Sequence, residues 1–480
     1  MIYSRLLLIL FSFILSFGIL HAQPLKIIVT GDMHGWLEPR TAEGKMLGGA
    51  AEMLAHWKAA EGYSPEKFLV ISCGDIATGP AISTAYKGEP AVAVMNMMGY
   101  DVSAVGNHEF DFGGVGSLKK IQGWAKFPFV AANLVFDDGS PVDNIPATMM
   151  YEEQGIKVGV IGLTLQNLAS MIQANNMSGR PYAEYVRKNA AELRAKGAKT
   201  IIVVSHVPQA ELCALAKEVA DLNIPLMLGG HTHEVTQQKI GDTWVVSCGK
   251  WWECYGRIDL DVDPEGGRAS VVESKQVWLL QKIDKVMSDL EVKAEIDKWR
   301  EKVIKEYGER LGFTVTGLSR RWAICNLATD SWLSEYHADL AICNLGAFRQ
   351  DLTPGEVKLS DLIVVMPFDN SLIRMRISGG QLKNYVDTMK REILVFGGAK
   401  RKGEELTIIS SGKTVEPSSQ YVLLINSYLY GISPELKLAD PKPETVSGDW
   451  RAPVIGWLRK NPTCVDGPIE SIISIFGRSE

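Results

Sequence analysis

Five short segments of the chain concentrate side chains that bind metal ions or move protons. They read GDMHG, GDIATG, GNHEFD, SHVP and GGHTHE, and each follows a short apolar run. Their polar residues are Asp32, His34, Asp75, Asn107, His108, Asp111, His206, His231 and His233. A lone loop histidine is usually a hydrogen-bonded structural residue. Five such loops in one chain reverse that expectation and favour a metal site.

The kinds of ligand indicate a catalytic pair of cations rather than a structural zinc ion. Imidazole, carboxylate and amide groups without thiolates suit zinc, manganese, cobalt or iron. The candidate ligands are Asp32, His34, Asp75, Asn107, His206, His231 and His233. This set is too large for one tetrahedral ion, but it suits two divalent ions that share a carboxylate. Two ions about 3.5–4 Å apart can hold the attacking and leaving oxygens of a phosphoester during hydrolysis.

The apolar runs before these segments predict the elements that position them. The runs LKIIVT, KFLVIS, DVSAV, KVGVIGL, TIIVVS and NIPLML read as buried strands. Between them, GGAAEMLAHWKAAEG and PYAEYVRKNAAELRAKG carry apolar residues at helical spacing. This alternation predicts a layered α/β domain with buried central strands. Functional loops of such domains gather at the carboxyl ends of the strands. In GGHTHE, Gly229 and Gly230 are expected to let the chain turn sharply.

The length of 480 residues predicts more than one domain. The first α/β pattern covers residues 24–270 and ends near a turn rich in proline and glycine. Residues 282–312 are rich in charge, with no proline and no glycine before Gly308, and predict one long linking helix. A second α/β pattern covers residues 313–480.

The N-terminal segment and the composition bear on location and partners. Residues 6–20 form an uncharged and largely apolar run that follows Arg5 and precedes a small residue, Ala22. This run is shorter than the roughly 20 residues of a spanning helix, so residues 1–22 predict a cleaved export signal and no stable membrane span. A net charge of −6 argues against a nucleic-acid-binding surface. Seven cysteines without a CxxC pair imply neither a disulfide framework nor a zinc cage, and only Cys325 with Cys343 is considered as a bridge.

Taken in order, the five segments resemble the calcineurin-like metallophosphatase superfamily. Over nearly the whole chain after residue 22, the resemblance is to its 5′-nucleotidase and UDP-sugar hydrolase family. The resemblance implies a four-layer αββα metallophosphatase domain, joined by the long helix to a C-terminal α/β (α+β) domain that binds the substrate. It also implies that a domain rotation opens and closes the site, with a hinge near Phe313.

The resemblance assigns roles to the polar residues of the first domain. One metal would be bound by Asp32, His34 and His233, the other by Asn107, His206 and His231, and Asp75 would bridge both. His108 and Asp111 match the catalytic dyad of the family. The histidine would stabilise the phosphoryl transition state or assist the leaving oxygen, while a hydroxide bridging the metals attacks phosphorus.

The C-terminal segments CNLATD and CNLGAFRQDLTPGEV resemble the nucleotide-binding domain of the family, with Leu345 where relatives carry glycine. By that match, the substrate-binding residues are Arg320, Asn344, Gly346, Arg349 and Phe368. Asn344 and Gly346 would approach the nucleobase or ribose. Arg349, helped by Arg320, would bind a substrate oxygen, and Phe368 would stack on the base.

One departure from the family pattern concerns the second stacking aromatic. Relatives carry a glycine-rich GGDGF or GGDGY loop, whereas this chain reads ISPELKLADPKPETVSGDWRAP. Trp450, Tyr428 and Tyr430 are candidates to replace the aromatic side chain of that loop. The departure puts the identity of the substrate in question more than the metal chemistry.

The sequence therefore predicts an exported, periplasmic or secreted phosphohydrolase with two divalent metal ions, acting on a small nucleotide. Hydrolysis of 5′-nucleoside monophosphates is favoured over cleavage of diesters or UDP-sugars. One alternative is a phosphatase, diesterase or thiosulfohydrolase-type relative with a non-nucleotide substrate. Another is a non-catalytic envelope protein that binds metal. His108 and Asp111 argue against the last alternative, because metal binding alone requires neither residue.

Overall fold

The structure, a computed structural model, describes residues 24–478 apart from 43, 154, 173–175, 264–266, 391 and 475–477. The predicted export signal, residues 1–22, lies outside the described residues. Within the described part of the chain, no helix has the length and apolar character that a membrane crossing requires.

The first domain contains two large sheets and the helices that cover them. Its strands are β1 Leu25–Thr30, β2 Arg40–Ala42, β3 Lys45–Leu47, β4 Leu69–Ser72, β5 Val102–Ala104, β6 Phe129–Val130, β7 Leu134–Phe136, β8 Thr148–Glu153, β9 Ile156–Leu163, β10 Met177–Gly179, β11 Thr200–Ser205, β12 Leu226–Gly229, β13 Val235–Ile240, β14 Thr243–Cys248, β15 Cys254–Val262, β16 Ala269–Trp278 and β17 Leu280–Lys282. Its helices are α1 Ala50–His56, α2 Ala81–Thr84, α3 Glu89–Met98, α4 Val115–Trp124, α5 Tyr182–Ala195, α6 Gln209–Glu218 and α7 Leu290–Tyr307.

The two large sheets pack face to face. Their strand orders are β16-β15-β1-β4-β5-β6 and β13-β14-β12-β11-β9-β8, and the central strands are parallel. Alternate strand residues point to opposite faces. Ile27 and Ile202, for example, lie between the sheets, whereas Ile28 faces the helices outside the first sheet. Helices α5 and α6 cover the second sheet. The resulting four-layer αββα arrangement confirms the predicted fold.

The linking helix is shorter than the predicted 282–312 segment. Leu280–Lys282 pairs with β3 instead, and α7 begins only after Asp289, whose side chain accepts a hydrogen bond from the backbone N–H of Val292 at 3.1 Å. Such a cap satisfies one of the free N–H groups at a helix start. Ile296 and Trp299 of α7 are buried in the core of the first domain. The helix is therefore part of that domain as well as a connection to the next.

The second domain is built around one five-stranded sheet of order β22-β19-β26-β21-β27. Its strands are β18 Arg310–Thr314, β19 Leu340–Asn344, β20 Gly355–Lys358, β21 Leu372–Ser378, β22 Leu394–Gly397, β23 Ala399–Lys402, β24 Glu405–Ile408, β25 Lys413–Thr414, β26 Gln420–Asn426 and β27 Glu444–Ser447. Its helices are α8 Ala323–Glu335, α9 Leu359–Val365, α10 Gly379–Thr388, α11 Ser427–Ile432, α12 Pro434–Ala439 and α13 Ala452–Lys460. Helices α8 and α13 pack on one face of the sheet, and α10, α11 and α12 pack on the other.

Phe313, near which a hinge is expected, lies inside strand β18. It pairs with Glu356 of β20, and its backbone N–H donates to the Thr463 hydroxyl at 2.8 Å. These contacts anchor Phe313 within the second domain. The chain leaves α7 at Gly308 and enters β18 at Arg310, so the passage between the domains lies a few residues before the expected hinge.

The bridge considered between Cys325 and Cys343 is wrong. Both residues are buried as free thiols in the core of the second domain. Burial raises the pKa of the Cys343 thiol well above its usual value. Its sulfur accepts a hydrogen bond from Nδ2 of Asn426 at 3.2 Å, so the side chain serves as a packed core residue.

Candidate metal centre and substrate cavity

Every polar segment singled out in the first domain follows a strand that ends at the same edge of the two packed sheets. The strand and residue pairs are β1 with Asp32 and His34, β4 with Asp75, β5 with Asn107, His108 and Asp111, β11 with His206, and β12 with His231 and His233. Because the strands are parallel within each sheet, their carboxyl ends coincide and the loops converge.

Several of these residues hold a left-handed backbone conformation that few non-glycine residues adopt. The φ angles are 50° at Asp32, 46° at His34, 52° at Asp75, 75° at His231 and 60° at His233. Each such conformation costs on the order of 1–3 kcal/mol and persists only where its surroundings enforce it. Two hydrogen bonds do so here, from the N–H of Asp32 to Gly74 O at 3.1 Å and from the N–H of His34 to Asp75 O at 2.9 Å.

The turn in GGHTHE is made by the histidines and not, as expected, by the glycines. His231 and His233 have positive φ angles, whereas Gly229 and Gly230 do not. Gly230 serves another purpose, since a Cβ atom there would lie 3.0 Å from Oδ2 of Asp32. The glycine therefore gives the carboxylate room close to the backbone.

The structure brings Asp32, His34 and His233 into one group whose donor atoms lie within 4.8 Å of one another. Nε2 of His34 lies 3.0 Å from Nε2 of His233, and the latter lies 3.6 Å from Oδ1 of Asp32. Oδ2 of Asp75 is 3.8 Å from Nε2 of His34. Three imidazole or carboxylate groups thus point at one small volume, with Asp75 beside them.

A second group contains Asp75, His206 and His231. Nε2 of His206 lies 3.0 Å from Oδ2 of Asp75, while its Nδ1 donates to Cys73 O at 2.8 Å and orients the ring. Oδ1 of Asn107 is buried, and no described residue supplies it with a hydrogen bond. Buried polar atoms normally have partners. A carbonyl oxygen without one, beside histidines and a shared carboxylate, fits the binding of a cation.

The protonation states of three histidines and of Asp75 suit metal binding, whereas the pKa of His206 is raised to about 10 by the charge of Asp75, which outweighs the effect of burial. Burial lowers the pKa of His231 and of His233 to about 4, and it lowers the pKa of His34 well below its usual value. These rings are therefore neutral near pH 7, the form that ligates metals. Burial alone would raise the pKa of Asp75, but neighbouring histidines, His206 foremost, outweigh it and hold that pKa low. Asp75 is thus a carboxylate.

His108 and Asp111 form a dyad at the edge of these groups. Nδ1 of His108 donates to Oδ2 of Asp111 at 2.6 Å, and the backbone N–H of His108 donates to Oδ1 of Asp75 at 2.9 Å. Burial lowers the pKa of His108, but the charges of Asp111 and Asp75 outweigh burial, and the pKa is raised. Nε2 lies 4.0 Å from Oδ2 of Asp75 and faces the candidate metal ligands, and the raised pKa favours the protonated ring.

Glu109, between the dyad residues, was not predicted from the sequence as a site residue. It is fully buried, and its carboxylate accepts hydrogen bonds from the N–H groups of Asp75, Ile76 and Gly106 at 3.1, 2.8 and 2.6 Å. A Cβ atom at Gly106 would lie 2.1 Å from Oδ1 of Asp75, so only glycine fits there. Glu109 thus joins the loops after β4 and β5. Its position inside the segment GNHEFD was the one sequence feature that could have indicated a role in the site.

A cavity of about 830 Å³ lies between the two domains and opens onto the metal-binding residues. The first domain contributes, among others, Asp75, Asn107, His108, Asp111, His231 and His233, and the second contributes Asn344, Gly346, Arg349, Phe368, Glu392 and Tyr428. The rings of Phe368 and His108 are 6.3 Å apart and inclined by 19°. The Arg349 guanidinium lies 5.9 Å from the centre of the Phe368 ring. Residues of both domains therefore share one site.

Arg320 is the one predicted substrate-binding residue that does not line this cavity. Its guanidinium donates to the carbonyl oxygen of Arg349 at 3.3 Å, and its backbone N–H donates to Oδ1 of Asp351 at 2.7 Å. The side chain therefore supports the loop that carries Arg349.

The three candidates for the second aromatic have different positions. Tyr428 lines the cavity, with its hydroxyl donating to Glu392 at 3.1 Å. Trp450 is fully buried and donates from Nε1 to the carbonyl oxygen of Phe368 at 2.9 Å. The hydroxyl of Tyr430 donates to Asp440 O, away from the cavity lining. Tyr428 is thus the candidate that faces the cavity.

The comparisons with known proteins agree with this architecture. Residues 25–235 match the family model of calcineurin-like phosphoesterases, and residues 307–433 match that of the 5′-nucleotidase C-terminal domain. The chain is 26% identical to a 5′-nucleotidase of Vibrio vulnificus (strain CMCP6), over 75% of this chain and 76% of that protein. It is 25% identical to endonuclease YhcR of Bacillus subtilis (strain 168) over 93% of its own length, but spans only 39% of that relative.

The fold is also that of a solved structure. The 5′-nucleotidase precursor from Thermus thermophilus superimposes with a TM-score of 0.77 at 22% identity, over 95% of this chain and 99% of that one. Calcineurin-like phosphoesterases use two divalent metal ions. Three overlapping groups of histidine and aspartate could hold them, and the third group consists of His34, Asp75 and His108. The first domain is that of a metal-dependent phosphoesterase. The chain belongs to the 5′-nucleotidase family of the calcineurin-like metallophosphatase superfamily.

Proposed function

We propose that this chain is an exported hydrolase that releases phosphate from 5′-nucleoside monophosphates. The observation that carries the proposal is the shared cavity. Histidines, carboxylates and an asparagine suited to two metal ions line one part, and Phe368, Tyr428 and polar groups of the second domain line another. A nucleotide has both a phosphate and a planar base, and the cavity provides for both.

The metal-binding part would receive the phosphate. We assign Asp32, His34 and His233 to one ion, Asn107, His206 and His231 to the other, and Asp75 to both. Bound divalent ions would lower the pKa of a water towards neutrality and neutralise charge on the phosphoryl group. Arg349 acts on the pKa of His34, His108 and His233, which places its positive charge near this region. A guanidinium there would hold a phosphoryl oxygen through charge-assisted hydrogen bonds.

His108 would act on the charge that develops during phosphoryl transfer. Asp111 engages Nδ1, so the proton available to the substrate is the one on Nε2. That proton would be donated to a phosphoryl oxygen or to the departing 5′ oxygen of the nucleoside. The raised pKa of His108 favours the form of the ring that carries this proton.

Phe368 would stack on the base. Stacking on an aromatic ring contributes about 1–3 kcal/mol per base and tolerates different bases. The Phe368 carbonyl oxygen is held by Nε1 of Trp450, and the Phe368 ring is flanked by Arg349. The backbone of the stacking residue is therefore held by the buried Trp450.

A domain rotation would admit the substrate and release the product, because the site is divided between two domains. We assign the rotation to the passage between α7 and β18, near Gly308, where the chain leaves the first domain. Export would depend on residues 1–22, and mass measurement of the exported protein would show cleavage after Ala22.

The decisive experiment measures phosphate release from nucleoside monophosphates, sugar phosphates, cyclic nucleotides and a diester, with manganese, cobalt or zinc supplied in turn. A thiosulfate ester tests the thiosulfohydrolase alternative in parallel. We expect the highest kcat/KM with a 5′-nucleoside monophosphate. Preference for any other class would refute the nucleotide proposal, and no hydrolysis with any metal would favour the non-catalytic alternative.

A further inference from the structure

Glu392 is a charged residue of the cavity wall that has no part in the mechanism above. It is partly exposed and lies at the start of the segment leading into β22. Its Oε1 accepts a hydrogen bond from the Tyr428 hydroxyl at 3.1 Å, and its Oε2 accepts one from Nδ2 of Asn344, also at 3.1 Å. A carboxylate is therefore held in place where the cavity receives its ligand.

The orientation of this carboxylate is imposed by a chain of buried amides. Oδ1 of Asn426 accepts the N–H of Leu429 at 2.8 Å, as the cap of helix α11. This leaves Nδ2 of Asn426 to donate to Oδ1 of Asn344 at 3.0 Å. Nδ2 of Asn344 must then point to Glu392, so the helix cap sets the direction of each hydrogen bond in turn.

The same chain changes the role expected for Asn344. Both ends of its amide are engaged with protein groups, and its side chain is almost fully buried, with 4% of its surface exposed. Asn344 therefore positions Glu392, and Glu392 is the charged group of this network that lines the cavity. A carboxylate has about four acceptor positions, of which Asn344 and Tyr428 use two.

The charge of Glu392 decides which part of a ligand it can contact. An ionised carboxylate only accepts hydrogen bonds and repels phosphate. Arg349 and the metal-binding residues suit the phosphate, whereas Glu392 is anchored to Asn344 and Tyr428 of the second domain. It therefore suits the uncharged, donor-bearing part of a nucleotide, which is its ribose or base.

We propose that Glu392 is a specificity-determining residue that accepts hydrogen bonds from donor groups of the nucleoside, either the ribose hydroxyls or an exocyclic amino group. The inference rests on the proposed nucleotidase function and deepens it. It implies that sugars and bases rich in donors are preferred over a phosphoester that has none.

The test compares kcat/KM of the wild-type chain and of Glu392→Gln for five substrates: AMP, 2′,3′-dideoxy-AMP, GMP, IMP and p-nitrophenyl phosphate. We expect the substitution to lower kcat/KM for the preferred nucleotide by about 10- to 100-fold, because hydrogen bonds to a charged group are strong. Hydrolysis of p-nitrophenyl phosphate, which has no nucleoside, should change by no more than about twofold.

The pairs of substrates separate the two donor sources. If the ribose is the donor, wild type prefers AMP to its dideoxy analogue and Glu392→Gln loses the preference. If an amino group is the donor, the preference for GMP over IMP is lost instead. Equal losses on nucleotides and p-nitrophenyl phosphate, or no loss on any nucleotide, would overturn the inference while leaving nucleotidase activity established. A wild-type chain that cleaves p-nitrophenyl phosphate but no nucleotide would refute the proposed function and this inference together.

A second variant and a control distinguish an effect on nucleoside selection from misfolding. Tyr428→Phe keeps the ring and removes one hydrogen bond to Glu392, so nucleotide kcat/KM should fall by about two- to fivefold with p-nitrophenyl phosphate unaffected. Loss on both substrates would contradict a role in nucleoside selection. Glu404→Gln removes an exposed carboxylate of the same domain and should leave every value unchanged.

Discussion

The metal-binding loops of the first domain and the cavity wall of the second domain are built in different ways. Each loop of the first domain directly follows a buried strand, and the left-handed Asp32 and His34 are held by backbone hydrogen bonds. The wall of the second domain is oriented by side chains, from the cap of α11 through Asn344 to Glu392. The first arrangement suits chemistry on any phosphoester, and the second suits selection of the ligand. Substitutions in the two regions should therefore separate turnover from substrate preference.

The largest effect is expected from loss of the metal ions or of the carboxylate they share. Chelation, or Asp75→Asn, should lower kcat by at least about 10³-fold with nucleotides and p-nitrophenyl phosphate alike, because water activation and charge neutralisation are lost together. Metal content by elemental analysis and steady-state kinetics provide the measurements. Restored activity on adding metal back to the chelated wild type is the control. Full activity of a metal-free preparation would show that the loops of the first domain do not act through metal ions.

The next effect concerns His108. His108→Ala should lower kcat by about 10²–10⁴-fold for every substrate while metal content stays unchanged, because the side chain supplies a proton and does not hold the ions. His337→Ala, an exposed histidine of the second domain, is the matched control and should have no effect. An unchanged kcat in His108→Ala would show that the proposed mechanism is wrong.

A smaller effect is expected from Glu109, which acts through the loops it joins. Glu109→Gln would place an amide NH₂ group among the N–H donors of Asp75, Ile76 and Gly106. Metal affinity should fall by about 10- to 100-fold, the usual range for residues that orient metal ligands. Calorimetric titration with manganese measures it, and excess metal should restore most of the activity. An unaltered affinity would confine Glu109 to a structural role.

The smallest effect should be confined to nucleotides. Phe368→Ala should raise KM for nucleoside monophosphates by about 5- to 100-fold, which corresponds to 1–3 kcal/mol of stacking. Phe368→Tyr should retain most of the affinity, and p-nitrophenyl phosphate should be cleaved as by wild type. Steady-state kinetics on both substrates measure the difference. A comparable loss on p-nitrophenyl phosphate would contradict the proposal that the first domain determines turnover and the second determines substrate preference.

Much of the first domain could be predicted because its signals are local. Six apolar runs became strands, and the polar residues after them converge because parallel strands end at one edge. The start of α7 was placed too early, since pairing of Leu280–Lys282 with β3 involves a distant partner. Glu109 was missed because burying its carboxylate depends on the N–H groups of Asp75 and Ile76, which follow another strand and which no local pattern reveals.

In the second domain, local signals identified the cavity residues only in part. Arg349 and Phe368 line the cavity, but Arg320 supports a loop and Trp450 is buried behind Phe368. An aromatic or a cationic side chain looks the same in sequence whether it faces a ligand or a core. Packing against other elements decides between these outcomes.

By itself, the sequence determined the kind of chemistry. Each candidate ligand directly follows a strand, and a few consecutive apolar residues are enough to predict that strand. Tertiary structure decided which polar groups of the second domain line the cavity. Asn344 and Glu392 are 48 positions apart, and their hydrogen bond depends on a third residue that caps a helix. Side-chain direction in such a network depends on partners distant in the chain, so only the folded arrangement shows that Asn344 orients Glu392 in the cavity wall.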